Sequence, residues 1–429
     1  MKLKTVNIIT LGCSKNLVDS EHLMLQFKAN GFEIMHDDNE PADIVLINTC
    51  GFILDAKEES IGMIMDYVAA KERGDITKLY VMGCLSARYR NDLEKEIPEV
   101  DRFFGKFDFD AIIQELGIQK RKDLLFDRHL TTPSHFAYLK IAEGCDRTCA
   151  FCAIPQFTGK HKSVPIEDLV TEAENLAKKG VKELLLISQE LTYYGIDLYK
   201  ERKLSELIDR LSQINGIEWI RLHYAYPTNF PMDLLQTIKN NPKVCKYLDI
   251  PLQHISSNVL KNMRRNITEE QTRELVKSIR KEMPEMALRT TMLVGHPGET
   301  EEDFQLLLDF VKEAKFDRLG VFPYSHEDDT HGFNTFKDEV PQDVKEKRAE
   351  ILMEIQQNIS EEIAAKKIGK TLKVIIDRIE GEFYIGRTEY DSPEVDGEVL
   401  IKADHLQIGN FYQVKITASD LFDLFGEIE

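Results

Sequence analysis

Hydrophobic positions along the chain change period several times, and each change marks an element. Short β-branched runs in "VNIITLGC", "DIVLINTC" and "KLYVMGC" alternate with helix-period stretches in "DSEHLMLQFKANG" and "KEESIGMIMDYVAAKERG". This βαβαβ order predicts a parallel sheet. A polar, charged stretch from Gln119 to Ser134, with Thr131, Thr132 and Pro133 near its end, reads as a linker. From Ala137 onward "AYLKIAEG", "KELLLISQ", "WIRLHY", "YLDIPL", "ALRTTMLV" and "RLGVFPYS" predict strands separated by helical patterns, and six βα units suggest an open barrel related to the TIM architecture. Between Pro341 and Lys367, Ile351, Ile355, Ile359 and Ile363 recur four apart, predicting an amphipathic helix that packs across the end of that barrel. After Gly369 short strands separated by turn residues predict a five-stranded all-β barrel. The expected class is α/β. An open parallel sheet occupies 1–120, a linker 121–134, a partial TIM-like (β/α)6 barrel with a trailing helix 135–368, and a small all-β barrel 369–429.

Composition narrows the setting. A chain of 429 residues with 42% hydrophobic residues can fill more than one core. Seven cysteines are too sparse for a secreted disulfide framework and fit metal binding or catalysis in a reducing compartment. The apolar run Val6–Leu11 contains Asn7 and is shorter than the roughly 7 to 15 residues an export segment needs. A cytoplasmic protein with no membrane association is expected. The formal charge of −19 argues against bulk attraction to nucleic acid and favours a basic partner.

The cysteines carry the chemistry. In "EGCDRTCAFCAIP", Cys145, Cys149 and Cys152 follow the first barrel strand at its carboxyl end, where βα loops build active sites. A structural zinc site needs a fourth ligand, and the nearest candidate, His161, lies at a spacing unlike zinc fingers. A four-iron cluster on three thiolates leaves one iron open to a substrate or cofactor. Zinc on three thiolates, or three buried cysteines that only pack, are the other readings. Cys13, Cys50 and Cys84 each follow a predicted strand of the first segment, 37 and 34 residues apart, so all three should emerge on one edge of one sheet. Any one of them could be an inert buried cysteine, but three in register favour a ligand set. Cys245, before "KYLDIPL", reads as an ordinary core residue.

The C-x3-C-x2-C spacing inside a six-βα barrel resembles the radical S-adenosylmethionine superfamily. The resemblance implies that the open iron chelates S-adenosylmethionine and that one electron then releases a 5′-deoxyadenosyl radical able to take hydrogen from an unactivated carbon. For the cofactor pocket, Gln189 and Glu190 close the second strand, Gln253 follows "DIPL", and Arg289 opens "RTTMLVGHPGET". The glycines of that stretch, Gly295 and Gly298, permit close backbone approach. Helix capping is the plainer use of such strand-end polar residues.

Two cysteine triads in one chain resemble the methylthiotransferase family, which joins an N-terminal cluster domain, a radical barrel and a C-terminal TRAM module. The resemblance covers essentially the whole chain and implies a second 4Fe–4S cluster on Cys13, Cys50 and Cys84. "LGCSKNLVDSE" (Leu11 to Glu21), "NTCGFI" (Asn48 to Ile53) and "IGRTEYDSPEVDGEV" (Ile385 to Val399) are similar to the RimO branch. That branch implies transfer of a methylthio group to the β-carbon of an aspartate in ribosomal small-subunit protein twelve, free or in the subunit, with an electron-donor protein. The chain departs from the branch at His296, where relatives usually carry an aromatic residue, and in "TGKHKSVP" (Thr158 to Pro165), which lacks an arginine-rich form. Residues 371–429 hold 5 Lys plus Arg against 13 Asp plus Glu, a net of −8, which suits a basic ribosomal protein rather than RNA. Of Asp391, Glu394, Asp396 and Glu398, the turn-forming "DSPEVDG" is expected to expose several to that partner, the alternative being that some only hold the loop through local backbone hydrogen bonds. The rival readings are a MiaB-like tRNA adenosine methylthiotransferase and a non-catalytic iron–sulfur or zinc-binding protein.

Overall fold

The computed structural model describes residues 4–429; of the basic N-terminal stretch, residues 1–3 lie outside it. The chain divides into two compact units. One comprises the residues up to Thr132 with Tyr138–Arg147 and Cys152–Leu176; the other comprises Pro133–Ala137, Thr148–Phe151 and Ala177–Glu429. Among the described residues no helix is long and apolar enough to cross a membrane.

In the first unit, strands β1 (Thr5–Thr10), β2 (Glu33–His36), β3 (Ile44–Thr49), β4 (Lys78–Gly83) and β5 (Arg102–Phe103) form a sheet in the order β2-β1-β3-β4-β5. All its pairings are parallel. Both faces are covered, so strand residues alternate between two cores. Val6, Ile8, Ile44 and Leu46 pack with Leu23, Met24 and Phe27 of the helix Ser14–Ala29. Ile9, Val45, Ile47 and Val81 pack with Ile64 and Val68 of the helix Leu54–Arg73. The edge strands β2 and β5 are four and two residues long and had no distinct pattern in the sequence.

The helix Ser14–Ala29 buries mostly apolar residues in its second half, whereas in its first half Val18 is buried among polar side chains. Its first half buries Asn16, Asp19, Ser20 and Glu21, each hydrogen-bonded. The stretch read as a linker lies against this helix. Arg128 is fully buried, with Nη1 3.2 Å from Glu21, Nε 3.0 Å from Glu172 and Nη2 donating to the Tyr138 carbonyl. Its polarity reflects satisfied internal partners as well as solvent. The chain continues through β6 (Phe136–Lys140) to a short antiparallel pair, β7 (Ala142–Glu143) and β8 (Lys162–Ser163).

The second unit holds β9 (Glu183–Ile187), β10 (Trp219–Leu222), β11 (Val244–Asp249), β12 (Ala287–Val294) and β13 (Arg318–Pro323), giving a six-stranded sheet in the order β13-β12-β11-β10-β9-β6. Each predicted barrel strand is present. The helix Gln342–Ala365 does not cross the end of this sheet; it lies along β13 and the helix Glu301–Ala314. A spacing of four residues overshoots a turn of 3.6, so the isoleucine stripe winds off the inner face. Ile359 is buried, but Lys345, Arg348, Leu352, Gln356 and Ser360 occupy the rest of that face.

Strands β14 (Thr371–Glu380), β15 (Phe383–Thr388), β16 (Val399–Ile401), β17 (Phe411–Ser419) and β18 (Leu424–Ile428) close a barrel in the order β14-β15-β16-β18-β17. Its Ile375 and Phe411 join Trp219, Cys245, Tyr247 and Ala287 of the central sheet in one apolar cluster. A buried ion network adds to this. Glu183 meets Arg221 at 2.8 Å and Arg387 at 2.7 Å, and Arg387 pairs with Asp377 at 2.6 Å. Burial alone would raise the carboxyl groups of Glu183 and Asp377, but the arginines outweigh it and hold both below their ordinary range.

The expected exposure of the β15–β16 loop is corrected by these contacts. Asp391 is buried against Arg318, and Asp396 accepts from Tyr247 Oη at 2.8 Å and from the Ser392 amide at 2.9 Å. Glu398 pairs with Arg378 at 2.6 Å, leaving only Glu394 of the four exposed. A charged loop can enter an interior when that interior supplies arginines.

Truncating one partner of a buried charge pair strands the other, so Arg387→Met should destabilise this unit by about 3–5 kcal/mol. Trp219, the single tryptophan, stacks edge-on with Phe411 at 4.8 Å and makes fluorescence a direct reporter. Its unfolding transition in urea should shift to clearly lower concentration in the variant.

Candidate active site: two cysteine triads

The order β2-β1-β3 reverses direction at β1, so the carboxyl ends of β1 and β3 flank a topological switch point, where open α/β sheets bind ligands. Register places Thr10 beside Asn48, and Thr49 beside Gly83. Cys13, Cys50 and Cys84 therefore leave one edge of the sheet together. The loops approach so closely that side chains are excluded. A Cβ on Gly12, at φ +90°, would stand 2.7 Å from Cys50 Cβ, and one on Gly83, at φ +102°, 2.5 Å from Asn48 Oδ1.

The motif after Cys13 builds the floor of this edge. Asn16 Nδ2 donates to the carbonyls of Leu11 and Thr49, while its Oδ1 accepts from Lys106 Nζ at 3.2 Å and lies 3.7 Å from Cys84 Sγ. Lys106 is buried and also pairs with Asp19 at 3.2 Å; Lys140 pairs with Asp19 and, at 2.9 Å, with Glu143. Two cations and two carboxylates thus join the helix after Cys13 to the strand that leads to Cys145. Lys106 follows a two-residue strand and carries no motif, so sequence reasoning had no signal for it.

Electrostatics separate the three thiols. Burial raises Cys13, but Lys15, Lys106 and backbone N–H groups at the helix start bring it below the ordinary thiol value. Burial raises Cys50 and pushes Cys84 up to about 12, with Lys106 opposing in both. Asn48 Oδ1 and Ser86 Oγ are buried without a hydrogen-bond partner beside these loops. A thiol-lined edge with lysine charge and the unpartnered Ser86 hydroxyl, a donor, fits an anionic, sulfur-rich group such as an iron–sulfur cluster.

The second triad lies in a loop from Gly144 to Ala153 without helix or strand. The Cys145 amide donates to the Gly159 carbonyl at 3.2 Å, which folds the loop back. Cys145 and Cys152 belong to the same compact unit as the first triad, and Cys84 shares an apolar cluster with Ala153, Ile154 and Phe157. Cys149 belongs to the second unit, where its Sγ lies 3.4 Å from Arg265 Nη1 and 3.6 Å from Tyr226 Oη. His161 Nε2 is 3.1 Å from Ser163 Oγ, and Cys245 is sealed in the apolar cluster around Trp219. None of the seven cysteines, all among the described residues, is in a disulfide.

The candidate cofactor residues separate into two groups. Gln189, Glu190, Gln253 and Gly295 all follow the carboxyl ends of β9, β11 and β12. Gln253, at φ 72°, bridges Met292. Glu190 is buried and accepts from Thr192 Oγ1, and the Gly295 amide donates to Glu299 at 2.7 Å. Arg289 lies six residues before Gly295, about 20 Å along an extended strand. It stands 3.5 Å from both Asp249 and Asp396, anchoring the β15–β16 loop.

His296 packs as an aromatic ring. Its ring meets Tyr324 edge-on at 5.0 Å and Phe336 at 5.8 Å. Nearby, His254 Nδ1 accepts from the Ser256 amide, and Glu299 accepts from Arg348 at 2.8 Å.

Residues 139–311 match the Radical SAM superfamily, residues 5–105 the Uncharacterized protein family UPF0004, and residues 368–428 the TRAM domain. A solved radical S-adenosylmethionine methyltransferase, TsrM from Kitasatospora setae, has the same fold, with TM-score 0.57 at 13% identity over 75% of each chain. Fold and cysteine loop together define a radical S-adenosylmethionine enzyme, a class whose cofactors are an iron–sulfur cluster and S-adenosylmethionine. The chain is 57% identical over 431 residues to the ribosomal protein uS12 methylthiotransferase RimO of Bacteroides fragilis, covering 100% of both. It is also 57% identical to that of Christiangramia forsetii over 429 residues, 100% of this chain and 95% of the relative. The chain belongs to the RimO family of methylthiotransferases.

Burial lowers the imidazole of His296 to about 4, only partly opposed by its bond to the Pro297 carbonyl. The folded chain keeps this ring neutral while the unfolded chain protonates it, so its contribution is present above pH of about 6.5 and is lost as pH falls toward 4. His296→Phe should remove about 2 kcal/mol of the stability lost between pH 8 and pH 5. Urea midpoints at the two pH values for both proteins measure it.

Proposed function

We propose that this chain inserts a methylthio group at the β-carbon of an aspartate in ribosomal protein uS12, in the cytoplasm, using two 4Fe–4S clusters. Cys145, Cys149 and Cys152 hold one cluster, and Cys13, Cys50 and Cys84 hold the other. The full-length likeness to uS12 methylthiotransferases carries the reading. When bound, such clusters supply an open iron for S-adenosylmethionine, the electron that cleaves it, and a place for sulfur. The chain's own residues do the remaining work. Lys106 and Lys15 offset thiolate charge at the first triad, and the apolar contact of Cys84 with Ala153 excludes water there. Gln189, Glu190, Gln253 and Gly295 orient the cofactor at the strand ends, and an electron-donor protein supplies the reductant.

Mass spectrometry of uS12 from cells with and without the chain tests the reaction; an unchanged mass overturns it. Anaerobic reconstitution should load about eight irons per chain, four on each triad. Replacing Cys145, Cys149 or Cys152 with serine should abolish 5′-deoxyadenosine formation. Replacing Cys13, Cys50 or Cys84 should stop sulfur insertion while cofactor cleavage persists. Equal loss of cleavage from both sets, in folded protein, overturns this division.

Partner recognition falls to the exposed carboxylates of the small barrel, now that Asp391 and Asp396 are internal. Glu394, Asp404, Asp420 and Glu427 face solvent. Their joint replacement by lysine should slow association with basic uS12 several-fold at low salt, and the effect should fade as ionic strength shortens the Debye length below about 10 Å. Stopped-flow binding against salt measures it. Tight tRNA binding by the unaltered chain would favour the MiaB-like alternative.

A further inference from the structure

The turn after the helix Ser257–Asn262 presents one side chain to the cysteine loop. Arg264 and Asn266 adopt φ of 56° and 52°, and this pair of left-handed residues fixes the backbone of Arg265 between them. The Arg265 carbonyl accepts from Thr228 Oγ1 at 2.6 Å and from Tyr226 Oη at 3.4 Å, and its amide donates to the Leu260 carbonyl. The guanidinium is buried, lies 4.3 Å over the Tyr226 ring and donates through Nη2 to the Pro251 carbonyl at 2.5 Å. Its Nη1 then points at Cys149 Sγ, 3.4 Å away. The cysteine loop is pinned to the same turn, with the Ala150 amide donating to the Met263 carbonyl at 2.9 Å. Arginine and sulfur cannot drift apart without breaking several of these contacts.

We propose that Arg265 is a positioning residue that sets the reduction potential of the cluster held by Cys145, Cys149 and Cys152, by donating a charge-assisted hydrogen bond to Cys149. The proposal rests on the ligand assignment made above. A low-potential one-electron donor adds a single negative charge to the cluster on reduction. A fixed cation and an N–H group on a ligand sulfur stabilise the more negative state, and thus raise the potential. Tyr226 gives its one hydroxyl proton to the Arg265 carbonyl, so its part is to hold the arginine under which its ring lies.

The test uses the full chain, reconstituted anaerobically with iron and sulfide, in wild type and in a background with Cys13, Cys50 and Cys84 replaced by alanine so that one cluster remains. Potentiometric titration followed by electron paramagnetic resonance reads the reduced-to-oxidised ratio at fixed potential. Arg265→Met should lower that ratio about tenfold, equivalent to about 59 mV for one electron. Arg265→Lys, which keeps the charge, should recover part of it. Arg265→Gln, which keeps an N–H donor without the charge, should shift the ratio the same way by less, which keeps the question answerable if Arg265→Met folds poorly. S-adenosylmethionine cleavage lost with a mild reductant should return with a stronger one, a rescue that a misfolded site would not show. Iron absent from the triple-alanine background overturns the ligand assignment and the proposal with it. Iron retained, with a potential unchanged in Arg265→Met and Arg265→Gln, overturns the role of Arg265 alone.

Discussion

Buried charge must find its opposite within a few ångströms, and in the first unit that requirement is met by four side chains. Lys106, Asp19, Lys140 and Glu143 bring together a loop after β5, the helix after Cys13 and the strands before Cys145. Moving any of these elements would strand a desolvated ion, a cost of several kcal/mol that apolar packing would have to offset. The quartet is neutral in sum, so it stiffens the floor beneath the thiols without flooding it with charge of one sign. Asn16 passes the influence of Lys106 on to Cys84 through a shared amide oxygen.

The same logic holds the second unit together. Arg221 and Arg387 share Glu183, Arg318 meets Asp391, and Arg289 stands between Asp249 and Asp396. With Trp219 against Phe411 and Ile375 in the same cluster, the small barrel shares a core with the central sheet. A TRAM domain read from sequence as an appended docking module is thereby a structural part of the unit. Its acidic count of 13 Asp plus Glu overstates what a partner would meet, because Asp377, Asp391 and Asp396 are spent on internal arginines.

Around each triad the chemistry differs in kind. The first is surrounded by lysine charge and helix-start amides, which favour thiolate at Cys13. The second has an arginine and a tyrosine placed on one sulfur, that of Cys149. One environment offsets thiolate charge, and the other directs a cationic donor at a single sulfur.

The sequence by itself determined the inner strands β1, β3 and β4 of the first sheet, the strands of the second, the closing β-barrel and the spacing of the two cysteine triads. These depend on local periodicity and on spacing equal to one βα unit, which a chain carries wherever its neighbours lie. It could not determine which polar residues turn inward. Asp19 meets Lys106 from 87 positions away and Arg221 reaches Thr388 across 167, and nothing local distinguishes such residues from solvated ones. For the same reason the helix Gln342–Ala365 was legible as a helix but its buried face was not, because Arg348 and Gln356 turn inward to partners distant in the chain, Glu299 and the Phe316 carbonyl. Tertiary structure alone decided that Asp396 is an anchor, that Arg289 serves it, and that Arg265 points at Cys149, because burial of a charge is favourable only where folding has already delivered its partner.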